Sequence, residues 1–234
     1  MERATRNARQ ASVTGEDGEV VGDFLDLAGH ELRAPLAALK GHAQMLQRRL
    51  AKQPERADDL ADLHKVLYQV ERLEHGLDIY LEASRLMGDR FELAPEPAEL
   101  VVITQRLVEV YSASAAGETI RVEVTEGTLD GIWDRRRLRL ALSELLTNAL
   151  KFGEEREVVV AVARTADGVR VEVRDRGQGV PVGERRRIFG AYVTGSNAPN
   201  AGLGLGLYVS YEIVRRHGGR MGVRARPDGG SIFW

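Results

Sequence analysis

Leu27-Ala28-Gly29-His30-Glu31-Leu32-Arg33-Ala34-Pro35-Leu36 lies inside a long helical repeat. Leu25, Gly29, Leu32, Leu36, Leu39, Ala43, Leu46 and Leu50 recur at alternating intervals of four and three residues, the spacing of a helix packed lengthwise on other helices. His30 stands one position off that seam. Its ring is therefore placed at the edge of the packed stripe, close enough to be positioned by it and open enough to be reached by a second domain. Glu31 supplies a carboxylate that can take a ring proton or hold one tautomer. Pro35 removes a backbone donor and is expected to bend the helix one turn after His30.

Working outward, Gln53-Pro54-Glu55 ends the first helix, and Leu60, Leu63, Leu67, Val70, Leu77 and Leu81 mark a second on the same spacing, with Glu74 as a polar exception. Two long antiparallel helices cannot bury both their faces alone, so the hairpin predicts a homodimer forming a four-helix bundle. On spacing alone, a dimerisation stalk with an incidental histidine explains the pattern equally well. Residues 1–19 are polar and aperiodic and read as a linker, residues 20–90 as the helical domain, and residues 91–234 as a second domain.

Beyond Pro95-Glu96-Pro97 the pattern becomes mixed. A helix from about Ala98 to Ala115 precedes the alternating Ile120, Val122 and Val124, and a second helix runs from Asp134 to Phe152. Strands from Glu157 to Arg164 and from Val169 to Arg174 flank the turn signal Thr165-Ala166-Asp167-Gly168. A last helix ends near His217, and strands close the chain. The fold class predicted is α + α/β: a helical hairpin, then an α/β sandwich with helices on one face of a mixed sheet.

Composition narrows the chemistry. The chain has no cysteine, which excludes disulfides, thiolate zinc sites and cysteine nucleophiles, and it fits a cytoplasmic location. A net charge of −2 gives no global attraction to nucleic acid. No apolar run is long enough to span a bilayer, so no membrane segment is expected.

In the second domain, Asn148 and Lys151 share one face of a helix and offer an amide oxygen for a divalent cation and an ammonium for phosphate. Asp175 ends a strand before Gly177 and Gly179; it can accept a hydrogen bond from an exocyclic amine where the glycines let backbone approach a base. Gly202, Gly204 and Gly206 offer backbone N–H groups at a helix start, which suits polyphosphate. No Gly-x4-Gly-Lys-Ser/Thr occurs, and Val182 and Leu207 spoil Gly-x-Gly-x-x-Gly in both loops, so P-loop and Rossmann domains are excluded.

Five motifs stand in one order: the H box at His30, the N box Glu144 to Phe152, a G box Asp175 to Gly179, the F box Ile188 to Tyr192, and a second G box Gly202 to Gly206. With them, the chain from Val20 to Trp234 resembles the catalytic core of a bacterial sensor histidine kinase. That resemblance implies a GHKL (Bergerat) ATP-binding domain, with ATP and Mg²⁺ as cofactors and His30 as acceptor of the γ-phosphoryl group. It further implies that Glu31 acts as base, Asn148 holds Mg²⁺, Lys151 contacts phosphate and Asp175 recognises adenine. Residues 194–201 would form a mobile lid anchored by Phe189 and Tyr192. The phosphoryl group would pass to an aspartate on a response-regulator receiver domain.

Two positions and the lid depart from the family pattern. Ala34 stands where threonine or asparagine is common, and its methyl group cannot orient water, which predicts weak phosphatase activity. Glu144 replaces the first asparagine of the N box, and metal support is the role expected for it, with water activation as the other possibility. The lid carries Thr194, Ser196, Asn197 and Asn200 but no cation, which leaves a catalytically impaired nucleotide- or regulator-binding module as the alternative reading. His42, His64, His75 and His217 read as surface or helix-end residues without function.

Overall fold

The computed structural model describes residues 29, 31–88, 90–114, 120–125, 127–153, 156–196 and 203–234. His30, Gly202, residues 1–19 and residues 197–201 of the expected lid lie outside the described residues. The chain divides into two compact units, Met1–Phe91 and Glu92–Trp234.

In the first unit, α1 (residues 31–50) and α2 (Ala57–Met87) are joined through the short 3₁₀ turn Pro54–Arg56. Helix α1 continues without interruption through Pro35, so the proline does not break it. Arg33 Nη2 lies 2.6 Å from Asp78 Oδ1, and Lys40 Nζ lies 2.7 Å from Glu74 Oε2. Rising numbers on α1 thus meet falling numbers on α2, which makes the hairpin antiparallel. Glu74, the polar exception on the second seam, is explained by Lys40.

The four-and-three seam of α1 splits in two. Gly29, Ala43 and Leu50 are buried, the last two in a cluster with Leu63 and Leu67, whereas Leu32, Leu39 and Leu46 remain about half exposed. A heptad seam consists of two rows seven residues apart, and one hairpin partner covers only one row. At Gly29 a side chain would press on Leu81, so the glycine permits a close helix approach.

In the second unit, β1 (Glu96–Glu99) pairs antiparallel with β3 (Asp130–Trp133) in a two-stranded sheet. The main sheet contains β2 (Ile120–Val124), β4 (Val158–Thr165), β5 (Gly168–Arg174), β6 (Val223–Ala225) and β7 (Ser231–Phe233) in the order β2-β4-β5-β7-β6. Only β2 and β4 run parallel, so the sheet is mixed. Helices α3 (Leu100–Ser114), α4 (Arg135–Phe152) and α5 (Gly206–Arg216) complete the unit. Val158, Val160 and Val162 of β4 share one core with Leu142, Leu145, Leu146 and Ala149 of α4. Alternation in the strand and a helical stripe in α4 thus meet in a single apolar layer.

Two differences from the sequence expectation have local causes. The helix expected from Ala98 begins at Leu100, because residues 96–99 are taken up by β1, and Glu99 instead receives the N–H groups of Val101, Val102 and Leu129. The expected four-residue turn tightens to Ala166-Asp167, since Thr165 already pairs with Gly168. Gly168 has φ 140°, which a side chain would strain.

Candidate functional site

Helix α4 has two working faces. While Leu142, Leu145, Leu146 and Ala149 fill the core, Glu144, Asn148 and Lys151 line a cavity of about 210 Å³. Asp134 starts this helix by accepting the Arg137 N–H at 3.0 Å, a side-chain cap that satisfies one otherwise orphaned donor. Asn148 Nδ2 donates to Glu144 Oε1 at 2.9 Å, which turns the amide oxygen of Asn148 into the atom left for a cation. Lys151 Nζ stands 5.1 Å from the centre of the Phe152 ring.

Across the cavity, Asp175 follows the last residue of β5. Its Oδ1 accepts the N–H of Gly177 at 2.9 Å and of Ser231 at 3.1 Å. Burial pushes the Asp175 carboxyl above the usual carboxylate range, and the two N–H groups and the nearby Arg226 charge offset this only in part. A side chain at Gly177 would collide with the Phe152 carbonyl, and one at Gly230 (φ 93°) with that of Asp175. Both glycines therefore serve close backbone packing around the aspartate. Gly179 lines the cavity with φ 75°.

Gly204 and Gly206 of the second glycine loop line the same cavity. A Cβ at Gly206 would collide with the Glu144 carboxylate, and one at Gly204 (φ 67°) would sit 2.6 Å from the Val193 carbonyl oxygen. Small size at these positions admits an acid and a strand-like loop against the start of α5. Glu144 and Gly206, expected in separate roles, are neighbours.

Phe189 and Tyr192, expected at the nucleotide, are not among the cavity's lining residues. Phe189 is buried in the core, 5.5 Å from the Tyr211 ring, because the short 3₁₀ turn Arg187–Phe189 directs it inward. Tyr192 is exposed, with φ 61°. The sequence reading missed Glu184, which lines the cavity and accepts the Ser196 N–H at 3.0 Å. That bond holds the Glu184 carboxyl below its ordinary range. It also missed Ser231, whose only sequence signal is the preceding Gly229-Gly230 turn.

Two family models match this chain: the His Kinase A (phospho-acceptor) domain over residues 20–88, and the histidine kinase-, DNA gyrase B-, and HSP90-like ATPase over residues 133–234. The chain belongs to the sensor histidine kinases. This kinase core is 34% identical to the sensor histidine kinase AruS of Pseudomonas aeruginosa, matching over 100% of this chain and 24% of AruS. It is 27% identical to the adaptive-response sensory kinase SasA of Synechocystis, covering 90% of this chain and 57% of SasA. The chain thus spans roughly a quarter to just over half of the length of these curated relatives. Among solved structures, full-length ShkA in complex with AMPPNP is similar with a TM-score of 0.64 and 28% identity, over 91% of this chain and 44% of ShkA. The mycobacterial sensor kinase MprB gives 0.53 and 25%, over 60% of this chain and 94% of the MprB chain. Among the described residues of the kinase core, no helix is long and apolar enough to cross a membrane.

Proposed function

We propose that this kinase core binds ATP in the α4–α5 cavity and transfers the γ-phosphoryl group to His30. The observation that carries this reading is the convergence of Glu144, Asn148, Lys151 and Asp175 on one cavity from two separate elements. The buried Asp175 presents an acceptor to the exocyclic amine of adenine, and Lys151 offers charge to the phosphates. A divalent cation fits the oxygen donors Glu144 and Asn148. Among the described residues no three acidic or histidine side chains cluster to hold a metal unaided, so Mg²⁺ would depend on phosphate oxygens as well. Bound there, the metal would offset negative charge between the β- and γ-phosphates.

In the transfer, an imidazole nitrogen of His30 forms a bond to the γ-phosphorus as the bond to the bridging oxygen breaks and ADP leaves. Glu31 takes the proton from the other ring nitrogen. The phosphoryl group then passes to an aspartate of a response-regulator receiver domain. Incubating the chain with γ-labelled ATP and Mg²⁺ tests the reading: acid-labile, base-stable label absent from His30→Ala supports it, and nucleotide binding without label refutes it.

The functional unit is a homodimer. On α1, Leu32, Leu39 and Leu46 form an exposed row; on α2, Val66, Leu73, Tyr80 and Met87 form another, also seven residues apart. These residues are 45% to 60% exposed and recur every seven positions, so each helix carries a continuous apolar stripe rather than scattered surface residues. A second hairpin would cover both rows as a four-helix bundle. Ala34 is exposed on α1, and its lack of a polar group predicts weak dephosphorylation of the regulator.

A further inference from the structure

The chain passes from one unit to the other between Phe91 and Glu92, and the first residues after that point are fastened down although they belong to no helix or strand. Arg137 Nη1 donates to the Glu92 carbonyl oxygen and, at 3.0 Å, to Asp134 Oδ2. The same Oδ2 accepts the Ala94 N–H at 3.1 Å. Asp134 in turn is held by its own N–H, which donates to His217 Nε2 at 3.0 Å, while His217 Nδ1 donates to the Ile213 carbonyl at 2.8 Å. Both nitrogens of His217 are thus engaged, with the proton on Nδ1. The histidine read from sequence as an idle helix end instead joins the C-terminus of α5 to the start of α4.

Capping α4 requires only Asp134 Oδ1, and asparagine or serine would serve equally well there. The second carboxylate oxygen and the guanidinium are directed at the backbone of residues 92–94. Both side chains are nearly buried, at 7% and 10% exposure, where charged hydrogen bonds are strong and their loss is costly. Burial works against ionisation of Asp134, but the Arg137 and Ala94 N–H groups and the guanidinium together outweigh it and hold the carboxyl below its ordinary range. The helices joined here are the ones that build the nucleotide cavity. Helix α4 starts at the tie and carries Asn148 and Lys151 near its other end; α5 starts at Gly206 in the cavity wall and ends at Arg216, with His217 as its C-cap.

We propose that Asp134, Arg137 and His217 form a linker clamp, a set of positioning residues that makes residues 92–94 part of the ATP-binding unit. Residues 92–94, by which the chain enters this unit, are then a stiff joint that moves as one body with α4 and α5. This inference rests on the phosphotransfer reading, in which the γ-phosphorus must be brought into line with His30. Slack in the joint lowers the aligned fraction without altering the cavity.

The test uses the full chain and two variants. Asp134→Asn keeps an amide oxygen to cap α4 but cannot offer acceptors to both the Arg137 and Ala94 N–H groups. Arg137→Met keeps the aspartate and removes the guanidinium links to Glu92 and Asp134, so it reads the clamp if the first variant fails to fold. In each, amide exchange at Ala94 should rise about tenfold or more. The KM for ATP should stay within about twofold while kcat for His30 phosphorylation falls about fivefold or more. Unchanged exchange at Ala94, or faster exchange with kcat unchanged, would overturn the clamp, as would a loss expressed in KM and thermal stability alone. Absence of phosphohistidine in the wild-type chain would overturn the kinase reading itself, an outcome distinct from failure of the clamp, which leaves the wild type active.

Discussion

Replacing Asp175 by asparagine separates recognition from folding at this site. In the wild type Oδ1 accepts the N–H groups of Gly177 and Ser231, and an asparagine Oδ1 in the same position keeps both bonds. What changes is the second atom, which turns from a charged acceptor into an N–H donor where the proposed reading puts the amine of adenine. A hydrogen bond to a charged group contributes about 1.5–3 kcal/mol. At about 1.4 kcal/mol per factor of ten, affinity for ATP should fall roughly 10- to 150-fold. Stability should move little or upward. Because burial raises the folded-state pKa of Asp175, this carboxyl costs the folded protein stability as pH rises from the ordinary carboxylate range through the raised value, and the neutral amide removes that cost. Wild-type affinity should decline as pH falls through the same raised value, because protonation removes the charged acceptor; the variant should lack this dependence. Calorimetric titration of nucleotide from pH 5 to pH 8 beside thermal melts measures both quantities, with the pH limits chosen as about the range of folded-state stability. A loss of threefold or less, or a melting temperature well below wild type, would refute the assignment of Asp175 to base recognition.

Gly177→Ala should destabilise the second unit by about 1–3 kcal/mol in denaturant titration, because its methyl group meets the Phe152 backbone carbonyl rather than a movable side chain. Leu73→Asp places a charge in the exposed α2 row and should convert the dimer to monomer by light scattering, with the separated hairpin still helical by circular dichroism. Ala34→Thr should increase dephosphorylation of the phosphorylated regulator in ADP by about tenfold if water orientation is what the methyl group lacks, with autophosphorylation unchanged.

The hairpin and the α4 stripe were legible because apolar periodicity is a local property. Leu36, Ala43 and Leu50, or Leu142, Leu145 and Leu146, announce a helix face whatever it packs against. Strands β1 and β3 were not legible: each has four residues, one contains Pro97 and the other Gly131, and Ile132 is largely exposed, so no alternation marks them. The glycine loops were recognised by type, yet the reason for individual glycines was not. Gly206 is dictated by Glu144 and Gly177 by Phe152, partners 62 and 25 positions away in the sequence.

The sequence by itself determined the helix faces, the order of the motifs and the residue types available for nucleotide chemistry, because these depend on spacing and side-chain identity. Only the tertiary structure decided which of those groups meet: Ser231 on Asp175, and His217 on the start of α4. Each is a contact between distant segments, fixed by sheet register and helix packing, and neither quantity is written in the local pattern of either partner.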